Sequence, residues 1–580
     1  MSSSPSIVPD LLRHRAAEDP AWVALRVGAS DELAVGQWEQ RSNATARGLV
    51  GRGVQAGDRI ALSFGEHRWA DYAVAYLGVL KAGAVAVPLG SRFAGRELDR
   101  ILAHAEPVGL VIGDGPAPSA PQQWVLRLAE LEGGQPQETF QVSIGPGGLA
   151  EVLYTSGTTG RPKGVACTHG SIMGHDLPPE AATPVGGGLS FLHGFPIGTQ
   201  AGQETLRVPL RIPLRTAIAL PAFEAELLCA LVARHRVARL QLVPAMAQVL
   251  VTSGAAGRHD VSSVRRVILS SAHAPPALFV RLQEVFPSAT LWNAYALTEA
   301  GSARTLTQWD AGRPSSVGRP VGETELRIVG GDGGEVATGA VGEVWLRRRG
   351  TPPRWYHRDE EATAAVFVDG WARSGDLGHL DGDGHLHLDD RMKDLIISGG
   401  RNISSVEVED AIAEHPDVVE VAVFGVAHPV LGEDVAAAVV AGPATTERQL
   451  QELVRARLAE HKVPRRVVLL ERLPRNASGK VLKGELRERF GAAGSAGPYV
   501  APVGPLEALV AQVYAEVLAV PRVGADDDFF ALGGHSLAAA QIAARLGDAV
   551  GAHVDVGAVF EAPTVRELAR AIPGTPPPAP

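Results

Sequence analysis

The sequence predicts a multi-domain α/β protein: a large layered α/β N-terminal part, a small α+β part, and an all-α part of four helices. Three observations lead there. The chain has 580 residues, several times the roughly 150 of an average domain. Residues 1–389 alternate apolar strand-like runs with helical patterns. A run of small residues, GAAGSAGPYVAPVG (491–504), then separates off a segment that shows helical periodicity only.

In chain order, RIALSF (59–64), AVAVPL (84–89), GLVIG (109–113), EVLYTS (151–156) and RRVILSSA (265–272) are short apolar runs, the mark of buried strands. HRWADYAVAYLGVLKAG (67–83) and FEAELLCALVARHR (223–236) lie between them as helical patterns. Near 390 the texture changes. A second part, 390–490, holds a helix around 406–415, strands around 420–426 and 436–440, and a helix around 446–461. After the linker 491–504, helices begin at PLEALVAQVYAEVL (505–518) and fill 505–573. The tail 574–580 is too rich in Pro to pack a core.

Composition excludes several classes. The net charge of -10 suits neither sequence-blind nucleic-acid binding nor any role that neutralises phosphate backbones. A hydrophobic fraction of 45% with 20% charged residues is globular. No apolar run reaches the roughly 18 residues of a membrane span, and the N-terminus lacks the pattern of a secretory signal. Cys167 and Cys229, the two cysteines, cannot build a disulfide framework or a multi-thiolate zinc site. A cytoplasmic enzyme is the expectation.

The strongest local signal is YTSGTTGRPKG (154–164), which follows an apolar strand. Its glycines let backbone N–H groups approach an anion, its hydroxyls add donors, and Lys163 adds charge. The spacing differs from the common P-loop. The run resembles the signature of the acyl-adenylate-forming superfamily, which includes acyl-CoA synthetases, luciferases and the adenylation domains of nonribosomal peptide synthetases. Further motifs of that superfamily follow in order. LKAGAVAVPL (80–89), NAYALTEAG (293–301), SGDL (374–377), DRMKDLIISGGRNIS (390–404) and NASGKVLKGELR (476–487) are spread so that the resemblance extends over nearly all of residues 1–490. DDDFFALGGHSL (526–537) resembles the attachment site of peptidyl and acyl carrier domains.

The resemblance implies ATP-dependent activation of a carboxylic acid as acyl-adenylate, then thioester loading onto the chain's own carrier. ATP, Mg2+ and a 4′-phosphopantetheine on Ser536 are the implied cofactors. Thr155, Ser156, Gly157, Thr158, Thr159 and Lys163 would hold the leaving phosphates. Glu299 would bind Mg2+, Tyr295 would stack on adenine, and Thr298 would assist at the phosphate. Asp376 would take the ribose hydroxyls, Arg391 would contact the nucleotide, and Arg401 would lie in its neighbourhood. Lys480 would be the catalytic lysine, bridging carboxylate and α-phosphate as charge develops. Lys393 would be the hinge between the large domain and a C-terminal lid, 390–490. DGDGH (381–385), by contrast, lacks the spacing of a calcium loop and reads as a hairpin turn.

The acid is less legible. Amino-acid-activating domains usually carry an Asp that pairs with the substrate ammonium. The comparable stretch, SFLHGFPIGTQAGQE (190–204), has no acid before Glu204. His193 and Gly194 would line the pocket with Ser270, Ser271, Ala272, Ala294, Ser302 and Ala303. A buried ammonium without a partner is costly, so an aryl or acyl acid without an α-amino group is favoured. The alternatives are an α- or β-amino-acid-activating didomain, an acyl-CoA ligase, and a non-catalytic carrier platform. The partners implied are the small acid, a phosphopantetheinyl transferase, and a downstream condensing or tailoring enzyme.

Overall fold

The computed structural model describes residues 5–90, 93, 95–113, 124–155, 163–174, 190–212, 215–428, 431–476, 480–491, 499–518, 520–529, 532, 534 and 536–572. It divides into two compact units. The first is 1–393 with 475–481, and the second is 394–474 with 482–580. The sequence put 475–481 with the small domain. In the structure this stretch groups with the large one.

Among the described residues, the first unit holds a fourteen-stranded and a seven-stranded sheet. RIALSF forms the strand Arg59–Phe64, paired in parallel with Val85–Gly90 and Gly109–Ile112. The helix Trp69–Lys81 packs against strands of both sheets and buries every residue but Asp71. A helix apolar on all sides must be buried all round, and WADYAVAYLGVLK is that. It ends in Lys81, which is fully buried. The Lys81 ammonium donates to Glu39 Oε2 (2.7 Å), Ser42 Oγ (2.8 Å) and Asn43 Oδ1 (2.7 Å). Burial lowers it to about 8, against the pull of Glu39. A second buried pair, Arg207 with Glu151 at 3.3 Å, is joined by the Tyr76 hydroxyl, which donates to Glu151 at 2.7 Å. These networks fix how helices dock between the sheets, because an unpaired ion there would be unstable.

The outer face of the larger sheet carries the helices Ala225–His235, Pro244–Ser253 and Pro276–Val285 over a core of Leu, Val and Phe. The hairpin expected at 381–385 joins the antiparallel strands Trp371–Leu380 and Leu386–Arg391.

In the second unit, a five-stranded sheet centres on the antiparallel pair Val418–His428 and Gly432–Ala441. The helices Ser405–Ala413 and Glu447–Arg457 cover it, both capped by hydroxyls, Ser404 and Thr446. Four helices follow: Gly504–Val517, Ser536–Val550, Val556–Glu561 and Val565–Ala571. They share a core that includes Val510, Tyr514, Phe529, Ile542, Leu546 and Leu568. Residues 492–498 of the expected linker and the whole expected tail lie outside the described residues.

Candidate active site

The strands Phe191–His193, Arg239–Leu242, Arg266–Leu269 and Thr290–Ala296 are neighbours and parallel. In open α/β sheets, ligands bind beyond the carboxyl ends of such strands. His193 ends the first strand, Ser270, Ser271 and Ala272 follow the third, and Ala294 and Tyr295 lie near the end of the fourth. Ser271 has φ +73, a left-handed conformation that costs a non-glycine residue about 1–3 kcal/mol and is often kept at ligand sites.

Tyr295 donates its hydroxyl to Asp376 Oδ2 at 2.7 Å, and Arg391 Nε lies 2.9 Å from Oδ1. Burial, reinforced by the Asp376 charge, pushes the Tyr295 phenol far up, so it stays a donor. Each carboxylate oxygen has two lone pairs, so Asp376 keeps acceptor capacity for a diol. The Tyr295 hydroxyl thus orients the carboxylate, a contact that its expected adenine stacking did not include.

Glu299 is held by Tyr356, whose hydroxyl donates to Oε1 at 2.9 Å. The ammonium of Lys163 sits 4.9 Å from the centre of the Tyr356 ring, a cation–π distance. The carbonyl of Thr298 accepts from Arg354 Nη1 at 2.6 Å, and the same nitrogen donates to Gln200 Oε1 at 2.8 Å. Arg354 is buried and packs over Gly301, which has φ +65 and whose Cβ would lie 3.1 Å from Arg354 Nε. The Thr298–Gly301 turn therefore needs its glycine twice, for conformation and for space.

Lys480 belongs to the stretch that groups with the first unit. Its loop is closed by Asn476, whose N–H donates to the Lys480 carbonyl and whose Oδ1 accepts from the Lys480 N–H, both at 2.9 Å. The side chain is exposed at its surface, and the protein groups packed around the ammonium lower it to about 8. Repulsion from Arg391 and Lys393 adds to this, and attraction to Asp376 and Glu299 opposes it. The structure therefore brings Lys480, Glu299, Asp376 and Arg391 within electrostatic reach of one another.

Thr155 and Lys163 are register partners on antiparallel strands, which brings the two ends of the glycine-rich loop together. Ser156, Gly157, Thr158 and Thr159 lie outside the described residues. Lys393 is exposed and is the last residue of the first unit before the second begins at Asp394. Arg401 is exposed on the strand Arg401–Ile403 of the second unit.

The pocket candidates divide. His193 is buried, stacked between Phe191 and Phe195 with the Trp69 ring edge-on. Burial lowers it to about 3, so it is neutral. A Cβ on Gly194 would lie 2.8 Å from the Met246 sulfur. Ser270 is half-buried, Ser271 and Ala272 are exposed, and Ala294 is half-buried. Ser302 is buried, and Ala303 packs in a core with Val317, Ile328, Val344 and Leu346. Ser302 and Ala303 are therefore enclosed, whereas Ser271 and Ala272 are open to solvent.

Ser536 is the first residue of a fifteen-residue helix. Two residues earlier, a Cβ on Gly534 would lie 2.3 Å from the Phe529 ring, so only glycine fits. The first turn of a helix carries unpaired N–H groups that suit a phosphate.

Sequence reasoning missed Tyr356 and Arg354. RWY (354–356) follows TPP and shows no periodicity. Its importance comes from a strand pairing between Trp355–Tyr356 and Val165–Ala166 that is distant in sequence.

Comparison with known proteins agrees with this geometry. Residues 12–355 match the AMP-binding enzyme family, 407–480 the AMP-binding enzyme C-terminal domain, and 508–572 the phosphopantetheine attachment site family. The chain belongs to the AMP-binding enzyme family and carries a phosphopantetheine attachment domain. It is 33% identical to a feruloyl-CoA synthase of Amycolatopsis sp over 491 residues, 82% of this chain and 98% of the relative. It is 29% identical to a linear gramicidin synthase polypeptide of Brevibacillus parabrevis over 94% of this chain and 7% of that protein. Its fold is similar to that of ATP-bound MatB from Rhodopseudomonas palustris, with a TM-score of 0.74 and 29% identity over 83% of this chain and 99% of that one.

AMP-binding enzymes use ATP with Mg2+, and the attachment domain carries 4′-phosphopantetheine on a serine. The residues fit both. Mg2+ prefers one or two carboxylates plus substrate phosphates to a closed protein cage. Glu299 is one such carboxylate, and no cluster of three or more ligating side chains occurs among the described residues. Among those residues no helix is long and apolar enough to cross a membrane.

Proposed function

We propose that this chain is an AMP-forming acid–thiol ligase that activates an aryl or acyl acid lacking an α-amino group and loads it onto its own carrier. The observation that carries the reading is that Arg391 pairs with Asp376 and that Lys480 lies within electrostatic reach of both and of Glu299. The acid's carboxylate attacks the α-phosphorus of ATP, the bond to the β-phosphate oxygen breaks, and pyrophosphate leaves. Lys480 neutralises charge at the attacking carboxylate and α-phosphate, Asp376 holds the ribose, and Lys163 with Thr155 holds the leaving phosphates. Glu299 would hold Mg2+, which would supply charge neutralisation for the phosphates. A phosphopantetheine arm held on Ser536 would supply the thiol that takes the acyl group, with AMP as the leaving group.

The substrate class follows from charge. Glu204 is engaged by Arg304, 3.7 Å away, and accepts from Gln200 at 2.8 Å. His193 is neutral and Gly194 faces Met246. Glu204, the acidic residue of this stretch, is already paired with Arg304 and Gln200, and His193 and Gly194 carry no negative charge. The name of the feruloyl-CoA synthase relative supports an acyl group without one. The match to the linear gramicidin synthase polypeptide, which extends through the carrier, favours amino-acid activation as the second reading.

We assign residues 1–389 to the large part, 390–490 to the lid, 505–573 to the carrier, and the hinge to Lys393. The setting is cytoplasmic secondary-metabolite assembly, with a phosphopantetheinyl transferase upstream and a condensing or tailoring enzyme downstream. The test is intact-mass analysis of holo chain incubated with ATP and candidate acids. The arm should gain the acyl mass, and Ser536→Ala should gain none. An acyl group appearing only on free coenzyme A would overturn the loading step.

A further inference from the structure

The small α+β domain and the carrier fall in the same compact unit, and their contact is specific. Arg465 Nη1 donates to the main-chain carbonyl of Gly534 at 2.6 Å. The guanidinium is aimed by Asp434, whose Oδ2 lies 2.9 Å from Arg465 Nε, and the Arg465 N–H donates to the Val435 carbonyl at 3.0 Å. The donor is therefore fixed on the sheet by both side chain and backbone. Around it the charges are mixed. Arg448 feels the attraction of Glu567, whereas Asp528 repels Glu447. The contact that the structure shows is thus one charge-assisted hydrogen bond with mixed charge around it.

The carbonyl it holds lies two residues before Ser536. Any enzyme that modifies Ser536, or draws substrate from it, must surround this loop. Arg465 already holds the main chain of this loop at Gly534.

We propose that Asp434 and Arg465 form a docking site for the carrier's own attachment loop, parking the carrier so that outside enzymes reach Ser536 only after the contact opens. Because the acceptor is a main-chain carbonyl, the site reads loop shape and tolerates side-chain variation. The proposal rests on Ser536 as the attachment residue.

The test uses full-length apo chain, fluorophore-labelled coenzyme A and a broad-specificity phosphopantetheinyl transferase, with the initial labelling rate as readout. Losing one charge-assisted hydrogen bond should raise the rate for Arg465→Ala by about tenfold. Asp434→Asn, which loosens the donor, should fall between it and wild type. Arg457→Ala, whose partner is Glu414, should match wild type. Hydrogen exchange across 532–540 should speed up in Arg465→Ala, which registers loop release apart from transferase action. Equal labelling rates and equal exchange in wild type, Arg465→Ala and Asp434→Asn would overturn the docking site. Label on Ser536→Ala would instead overturn the attachment reading, independently of Arg465.

Discussion

The role proposed for Lys480 predicts a distinctive pH dependence of the adenylation step. Its ammonium sits at about 8, below the ordinary lysine value, because the cleft desolvates it and Arg391 repels it. The charged form is the useful one, so activity belongs to the low-pH side and is lost as pH rises through 8. With that value, about nine-tenths of the enzyme is competent at pH 7 and about one-tenth at pH 9. The kcat/KM for ATP, which reports the free enzyme, should therefore fall roughly tenfold between those pH values. Bound phosphates raise the ammonium's pKa, so the kcat profile should break at higher pH. Lys480→Arg, charged throughout the range, should turn over slowly but with a flat kcat/KM profile. The assay is pyrophosphate exchange at fixed ionic strength across pH 6.5 to about 9.5. A wild-type profile that stays flat through 8, or a Lys480→Arg enzyme with the same decline, would refute the assignment.

Other expectations follow from particular contacts. Tyr356→Phe removes the hydroxyl from Glu299 and should raise the Mg2+ requirement about tenfold, read from a magnesium titration of pyrophosphate exchange. Glu151→Ala strands the buried Arg207 guanidinium and should destabilise the large unit by about 3–5 kcal/mol; urea unfolding within 1 kcal/mol of wild type, roughly the size of a surface change, would contradict it. Lys393→Pro stiffens the boundary between the two units and should spare pyrophosphate exchange while blocking acyl transfer to the carrier. Unchanged rates in both half-reactions would remove Lys393 from the hinge.

Much of this was legible in the sequence. RIALSF became a strand over the same six residues, Arg59–Phe64, because a continuous apolar run in an α/β protein has few other uses. The helix from Trp69 was equally plain, though the pattern ran two residues past Lys81, where Gly83 takes φ +75. Motif residues such as Asp376 and Lys480 could be named because their neighbours in sequence form the motif. Tyr356 and Arg354 could not, since their partners Glu299 and Thr298 are more than fifty residues away. Ala303 was indistinct for a related reason: a small residue next to a motif looks the same whether it faces a pocket or a core.

The central claim is that the cleft adenylates an acid with no α-amino group. ATP–pyrophosphate exchange with the purified chain tests it most directly, using a panel of aryl, aliphatic, hydroxy, β-amino and α-amino acids with Lys480→Ala as the blank. The account predicts exchange with an aryl or acyl acid that Lys480→Ala abolishes. Exchange confined to α-amino acids, or exchange that survives in Lys480→Ala, would contradict it.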